Sequence, residues 1–440
     1  MSPRLRRHRS RMAPSPSSRA VTLHIQSDSL RMQGIYRHSL SLIRELLGLF
    51  PCVAIVGVRQ CGKTTLLGQL PGNWRIHDLE KLADAEAIAR DPDLFFRLNP
   101  DRVAIDECQL QPRLFPALRV AIDSDRNQPG RFIITGSSSP DLLSAVSESL
   151  AGRVAIVELA PFGLSEAHGL APSEFFRYLT QRRPARDYLD LPVRLDPAPI
   201  HAYWLRGGYP EPWLKNQPRF TKLWMQNYLQ TYLDRDLPRL FPGLDRERFR
   251  LFANMLAQLS GRVINYSEVA RGLGVSQPTA RDYFRIADGT FLWRHLPAFD
   301  KDAFKRVVKH PKGYFRDSGL LHFLLRIQDQ EQLSAHPARG PSWEGTVIET
   351  VLRGLNAQGT AFQASYYRTA AGAEVDLVLE GELGLIPVEI KYTQHTDSRS
   401  LRAIRDFVEE RDCPYGIVLN NDERPRMLDE KLVGVPVGCL

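Results

Sequence analysis

The 440-residue chain has no run of about 18 apolar residues, so no segment reads as a membrane-spanning helix. Cysteine is scarce: Cys52, Cys61, Cys108, Cys413 and Cys439 are scattered and form no C-x-x-C pair. That spacing excludes a disulfide scaffold or a zinc ribbon and fits a reducing, cytoplasmic setting. The basic N-terminal residues are followed by no apolar stretch, so the pattern of a secretory signal is missing. No internal repeat appears, and no low-complexity segment beyond the Arg-, Ser- and Pro-rich stretch from Met1 to Ala20.

Acidic residues are scarce at one end only. The net charge is +8, yet residues 1–31 hold seven arginines against the single acid Asp28, so six of the eight charges lie there. The remaining chain is nearly neutral, and the overall charge is no argument for nucleic-acid binding. Residues 1–33 are expected to be a disordered basic tail. A start at Met12 or Met32 is a second reading, and an organelle transit peptide a third. An apolar content of 43% and a charged content of 25% are ordinary for a globular chain. At this length roughly two to four domains are expected.

Strand-like apolar runs alternate with helix-like stretches after a leading helix at Tyr36–Phe50. The runs are Cys52–Val56, Trp74–His77, Arg102–Ile105, Arg131–Thr135 and Val154–Leu159. Such alternation predicts an α/β domain over 34–180 with a parallel sheet. Gln181–Pro199, rich in Arg, Asp and Pro, reads as a linker, and 200–248 as a helical lid. Over 249–311 the pattern predicts a helix-turn-helix: Ser267 caps one helix, Gly272-Leu273-Gly274-Val275 turns, and Ser276 caps the next, with Pro278 near its start. Phe291-Leu292-Trp293 and Val307-Val308 are candidates for a wing. From 312 to 440 two helices precede strands at Ser365–Arg368, Val375–Leu379 and Ile386–Ile390. A helix at Leu401–Glu410 and a strand at Tyr415–Leu419 then close the domain.

Gly57-Val58-Arg59-Gln60-Cys61-Gly62-Lys63-Thr64 has the spacing of a phosphate-binding loop. Glycines let backbone N–H groups turn toward phosphate oxygens, and the following helix aims its positive N-terminus at the anion. ATP contacts are expected from Gly57, Gln60, Gly62, Lys63, Thr64, Thr65, Asp106 and Thr135. Lys63 reaches the β- and γ-phosphates, and the Thr64 hydroxyl ligates Mg²⁺. Val103-Ala104-Ile105-Asp106-Glu107 ends an apolar strand expected beside the loop's strand, with Asp106 on Mg²⁺ and Glu107 as general base. Thr135 or Ser137 would sense the γ-phosphate or cap the next turn. Arg153 reads either as an arginine finger or sensor, in this subunit or a neighbour, or as a structural ion-pair partner. Arg235 is a weaker finger candidate.

From Gly34 onward the sequence resembles prokaryotic AAA-superfamily ATPases with a C-terminal nuclease-like domain of unknown function. The marks are Gly57–Thr65, Ile105-Asp106-Glu107, Thr135-Gly136-Ser137, Gly152-Arg153, Gly207-Gly208-Tyr209-Pro210-Glu211, Tyr232-Leu233-Asp234-Arg235-Asp236, Tyr314–Leu320, Trp343-Glu344-Gly345 and Glu374-Val375-Asp376. The resemblance implies an AAA-type parallel sheet, a winged-helix middle and an α/β restriction-endonuclease-like end. Asp376 followed by Glu389-Ile390-Lys391 matches the signature of PD-(D/E)xK nucleases. Asp376 and Glu389, on adjacent strands, would share a divalent metal, and Lys391, two residues on, would face the same side. Either Glu344 or Glu349 would join them, since five helical residues set the two about 140° apart. The alternative is a retained fold whose acids merely pair with Lys391. Likewise Gln277, Thr279, Arg281 and Arg285 on the second helix of the helix-turn-helix would touch DNA, or the unit is only a lid.

Two functions follow as expectations. One is a cytoplasmic ATPase, using ATP and Mg²⁺, that drives a DNA-directed nuclease module and forms a homo-oligomer. The other is a nucleotide-dependent switch with an inactive nuclease fold. A protein remodeller is a weaker third.

Overall fold

In the computed structural model, residues 34–137, 146, 148–300, 310–369, 371–394 and 398–440 are described. All but Gly34 belong to one compact unit, Ile35–Leu440. The expected basic tail and the wing candidate Val307-Val308 lie outside the described residues.

The first sheet has five parallel strands: β1 (Cys52–Gly57), β2 (Arg75–Asp78), β3 (Val103–Asp106), β4 (Phe132–Ser137) and β5 (Val154–Glu158), in the order β2-β3-β4-β1-β5. Side chains alternate across its faces. Cys52, Ala54 and Val56 face the helices Pro92–Leu98 and Leu114–Ser124, while Val53 and Ile55 face a second core. Covering both faces suits a parallel sheet, whose strands read as unbroken apolar runs. The order corrects one expectation: β4 intervenes between β1 and β3, so the acid-bearing strand is not beside the loop's strand.

A helical region follows, from Pro197 to Leu259. Tyr266–Leu273 and Gln277–Gly289 then form the helix-turn-helix, with Asn265 rather than Ser267 capping the first helix and Ser276 the second. Three antiparallel strands complete this part: β6 (Arg262–Val263), β7 (Trp293–Leu296) and β8 (Lys312–Phe315), in the order β6-β8-β7. The expected boundary at 311/312 is therefore displaced, because β8 is the middle strand of this sheet.

The last part packs the helix Arg339–Ala357 and a six-stranded mixed sheet: β9 (Phe362–Arg368), β10 (Glu374–Gly381), β11 (Gly384–Ile390), β12 (Gly416–Asn420), β13 (Arg426–Met427) and β14 (Leu432–Pro436), in the order β13-β14-β12-β11-β10-β9. The sheet runs on past Tyr415–Leu419, where the sequence pattern had closed it. The β14 strand is short and broken by Gly434 and Pro436, which blunts its apolar signal. The expected linker is also corrected. Tyr188 is fully buried in a 3₁₀ turn, Ala185–Asp190, and its hydroxyl meets that of Tyr415 at 3.0 Å. Among so many charged and proline residues, two buried side chains, Tyr188 and Leu191, were too sparse a signal.

One core joins the three parts. Val53 and Ile55 of the first sheet share a continuous cluster with Trp204 of the helical region, Trp293 of β7 and Leu377, Val388 and Ile417 of the last sheet. At its polar centre lies Glu349, 3% exposed, against Arg294, Arg316 and Arg353. Arg316 also bonds Glu158 at the end of β5. Burial alone would raise the Glu349 pKa, but Arg294, Arg316 and Arg353 bring it down to about 2.

Replacing Glu349 by Gln leaves these buried arginines without their shared anion. We expect a loss of about 3–5 kcal/mol in chemical denaturation. A carboxylate held below its free value stabilises the fold above its unfolded pKa, near 4.5. That contribution falls away as pH drops from there toward about 2. The wild-type and Glu349→Gln stabilities should therefore converge over this acid range. A constant gap between them would show that Glu349 is not held as an anion.

Candidate functional site

The phosphate loop sits at the C-terminal edge of β1, and the backbone there is set by two positive φ angles, Gln60 at 60° and Gly62 at 98°. Gly62 is required at its position because a Cβ is strained in that conformation. Lys63 opens the short helix Lys63–Leu67 and is 4% exposed. Among the described residues its Nζ has long contacts, 3.3 Å to the carbonyls of Gly57 and Val58 and 3.8 Å to a Glu107 oxygen. A buried ammonium so loosely paired can take a phosphate anion.

Thr64 Oγ1 donates to Asp106 Oδ2 at 2.5 Å, joining the loop to the end of β3. The intervening strand β4 supplies the alignment. Thr135 Oγ1 donates to Asp106 Oδ1, and Ser137 Oγ donates to Glu107 Oε2 at 3.2 Å. Glu107 itself takes a left-handed backbone, φ 56°, and Gln109 Nε2 donates to the same carboxylate oxygen, Oε2. Thr135 and Ser137 thus orient the two acids. The turn that they were offered as capping lies in 138–145, outside the described residues. Thr65, expected among the ATP contacts, is exposed on the same short helix.

Arg153 is placed elsewhere. It precedes β5, at the sheet edge opposite the loop, and its guanidinium holds Asp123 through two hydrogen bonds of 2.7 and 2.9 Å. A role at its own subunit's phosphate is therefore corrected: a residue just before a parallel strand lies a full strand length from that strand's C-terminal edge. Arg235 is exposed in a π-helical turn, Tyr232–Asp236. Its neighbour Asp236 reaches the site instead, bonding Arg59 of the loop. Burial raises the Asp236 pKa against the pull of Arg59.

Sequence reasoning missed Arg37. It is buried, donates to the loop carbonyl of Cys61 at 2.8 Å and to Ala160 O at 2.6 Å, and pairs with Glu166 at 3.2 Å. Burial opposes the Glu166 charge, but Arg37, His38 and two backbone N–H groups hold its pKa below the ordinary value. No motif spacing marks Arg37, which lies upstream of β1.

A second polar cluster lies in the last sheet. Asp376 on β10 and Glu389 on β11 lie next to the Leu377–Val388 register pair, and Asp376 Oδ2 accepts from Ile390 N at 2.8 Å. Side chains along β10 do not alternate strictly. Val375 and Val378 both face the helix Arg402–Glu410, while Leu377 and Leu379 face the shared core. A register shift between Val375 and Val378 accounts for this, and such a bulge re-aims the residue it contains, here Asp376. Carboxylate oxygens of Glu344, Glu374 and Asp376 lie within 4.8 Å of one another, a spacing that can hold a cation. Of the two helix glutamates, Glu344 reaches this cluster, and Glu349 is turned into the arginines. Lys391 Nζ donates to Glu389 Oε1 at 2.6 Å, whereas buried Glu389 Oε2 has no hydrogen-bond partner among the described residues. Burial first, then Glu344 and Glu389, push the Asp376 pKa well above the usual carboxylate range. Glu374 and Lys312 complete the cluster. Lys312, on β8, was not signalled by any motif.

On the helix-turn-helix, Gln277, Arg281 and Arg285 are exposed and Thr279 half-buried. Arg281 lies over the Tyr266 ring and Arg285 pairs with Asp282.

The parallel sheet with a phosphate loop and paired acids at its C-terminal edge defines a P-loop ATPase of the AAA type. Residues 50–168 match the family model of the AAA domain, 198–331 match a domain of unknown function (DUF8612) and 339–440 match a second one (DUF4143). The uncharacterized proteins Rv2008c of Mycobacterium tuberculosis and Mb2031c of Mycobacterium bovis are each 35% identical over 371 residues, covering 83% of this chain and 76% of theirs. The chain belongs to the same family as these two proteins. Among solved structures, the Walker-type ATPase PABY2304 of Pyrococcus abyssi is 16% identical, with a TM-score of 0.39, covering 66% of this chain and 95% of that one. No helix of the described residues is long and apolar enough to cross a membrane.

Replacing Arg153 by Ala should leave ATP affinity of the single chain unchanged in a binding titration. A tenfold loss would mean that the residue leaves Asp123 and reaches its own nucleotide.

Proposed function

We propose that this AAA-type ATPase hydrolyses ATP to rearrange a metal-dependent, nuclease-like module acting on DNA. The observation that carries the ATPase chemistry is the set Lys63, Thr64, Asp106 and Glu107 converging at one sheet edge, with the two acids aimed by Thr135 and Ser137. In this reading Gly57, Gln60 and Gly62 turn backbone N–H groups toward phosphate, and Lys63 pairs with the terminal phosphates. Thr64 and Asp106 would hold Mg²⁺, whose charge would offset that of the phosphate oxygens. Glu107 orients the attacking water and takes its proton. Arg153, at the opposite edge, could serve only a neighbouring subunit's nucleotide, and only after releasing Asp123.

In the last sheet, Asp376, Glu389 and Glu344 would hold a divalent ion, which supplies Lewis-acid stabilisation to a phosphodiester. Lys391 is set beside Glu389 to stabilise developing negative charge. The unpartnered Glu389 Oε2 supports this fit. DNA contact would come from Gln277, Arg281 and Arg285, which face solvent on the second helix of a winged helix. The second reading, a nucleotide switch with an inactive nuclease fold, is favoured by the Lys391–Glu389 pair, which already neutralises part of the cluster.

Lys63→Ala should lose ATP binding. Glu107→Gln should keep it while turnover falls by about 10²–10⁴. Unchanged turnover in Glu107→Gln removes it as the base. The nuclease arm uses the full chain, because the shared core runs through every part. Plasmid cleavage with Mn²⁺ that vanishes in Asp376→Ala, with ATP turnover retained and stimulated by DNA, supports the first reading. Absent cleavage together with absent Mn²⁺ binding in calorimetry favours the switch.

A further inference from the structure

The acidic cluster of the last sheet already contains a cation, and it comes from another sheet. Lys312, on β8 beside the helix-turn-helix, is 5% exposed, and its Nζ lies 2.6 Å from Glu344 Oε1 and 2.5 Å from Glu374 Oε1. Those two residues and Asp376 have carboxylate oxygens within 4.8 Å of one another. The ammonium therefore bonds Glu344, one of the residues read as holding the divalent ion, and Glu374 beside it.

Charge shows that this arrangement is incomplete. Among the described residues, Glu344, Glu374, Asp376 and Glu389 meet two ammonium groups, Lys312 and Lys391, with Arg368 at 3.6 Å from the outer side of Glu374. Among the described residues Glu389 Oε2 is buried without a partner, and both Glu344 and Glu374 act against the Glu389 charge. An ammonium brings one charge where a divalent ion brings two, so the cluster remains underneutralised with Lys312 in it. Lys312 is also held by more than the acids. Tyr314, two residues along the strand, bonds the same Glu344, and the strand is hydrogen-bonded on both edges by β6 and β7.

We propose that Lys312 is a built-in competitor for the divalent-cation site: its ammonium holds Glu344 and Glu374 together and lowers metal affinity until β8 withdraws it. The site then has two states, lysine-occupied and metal-loaded. This rests on the reading of Asp376 and Glu389 as a divalent-cation site.

The test is calorimetric titration of the nucleotide-free full chain with Mn²⁺, counting the binding event that Asp376→Asn removes. The charge-balanced double variant Lys312→Met/Glu374→Gln drops the competitor together with its outer anchor. It should bind Mn²⁺ at least about tenfold more tightly than wild type although it has one carboxylate fewer, and Mn²⁺ should raise its melting temperature more. Equal or weaker binding by the double variant, with wild type still binding, overturns the competition and leaves the metal site standing. No Mn²⁺ event that depends on Asp376, in any of the proteins, overturns both. If the double variant fails to fold, Lys312→Gln keeps a hydrogen-bond donor, drops the charge and is judged by the same tenfold criterion.

Discussion

The ion cluster around Glu349 is the constraint on which the rest of the structure depends. Its four basic and acidic partners come from different elements: Arg294 from β7, Arg316 from the end of β8, Arg353 one helical turn along from Glu349, and, through Arg316, Glu158 from β5. Each buried charge would be costly alone. Together they require the ATPase sheet, the three-stranded sheet and the helix Arg339–Ala357 to be docked at once. The apolar core then closes around them, from Val53 through Trp293 to Ile417.

The ATP site uses the same economy of placement. A strand between β1 and β3 looks like a spacer, yet it brings two hydroxyls level with the two acids. Gly57 pairs in register with Ser137, and Ile55 with Thr135. Thr135 and Ser137 therefore stand at the height where Asp106 and Glu107 emerge from β3. The hydroxyls fix each carboxylate's direction without neutralising it, which a basic side chain would do.

The parts that sequence made legible are those where local pattern and chemistry coincide. Each strand of the first sheet is a buried apolar run, and the phosphate loop needs its glycine at Gly62. Asp376 and Glu389 could be paired from their positions. What stayed hidden depended on long-range packing. The bulge at Asp376 is visible only when Val375 and Val378 are seen against the same helix. Tyr188 gave no strand or helix period, because a 3₁₀ turn buries single residues. The order of β4 and β3 has no sequence signature, since every parallel strand here reads alike. Lys312 had no motif, and its role follows solely from the sheet that carries it. Gly345 shows the same dependence: it reads as a helix-weakening residue, but a Cβ there would press on the Tyr314 ring, so it sets how closely β8 approaches the helix.

That approach couples two glutamates to one strand. Lys312, Tyr314 and Arg316 share a side of an extended chain. Lys312 and Tyr314 bond Glu344, and Arg316 bonds Glu349, five residues further along the facing helix. The strand spans about 13 Å over these four steps, whereas the helix rises about 7.5 Å over its five. The long lysine and arginine side chains absorb the difference. With both ends anchored, β8 cannot slide to free Lys312 while Arg316 keeps its bonds. Arg316 is tied in turn to Glu158, the register partner of Val56, one residue before the phosphate loop begins at Gly57. Moving β8 far enough to withdraw Lys312 would therefore also disturb the Arg316–Glu158 pair, at the strand end beside the phosphate loop.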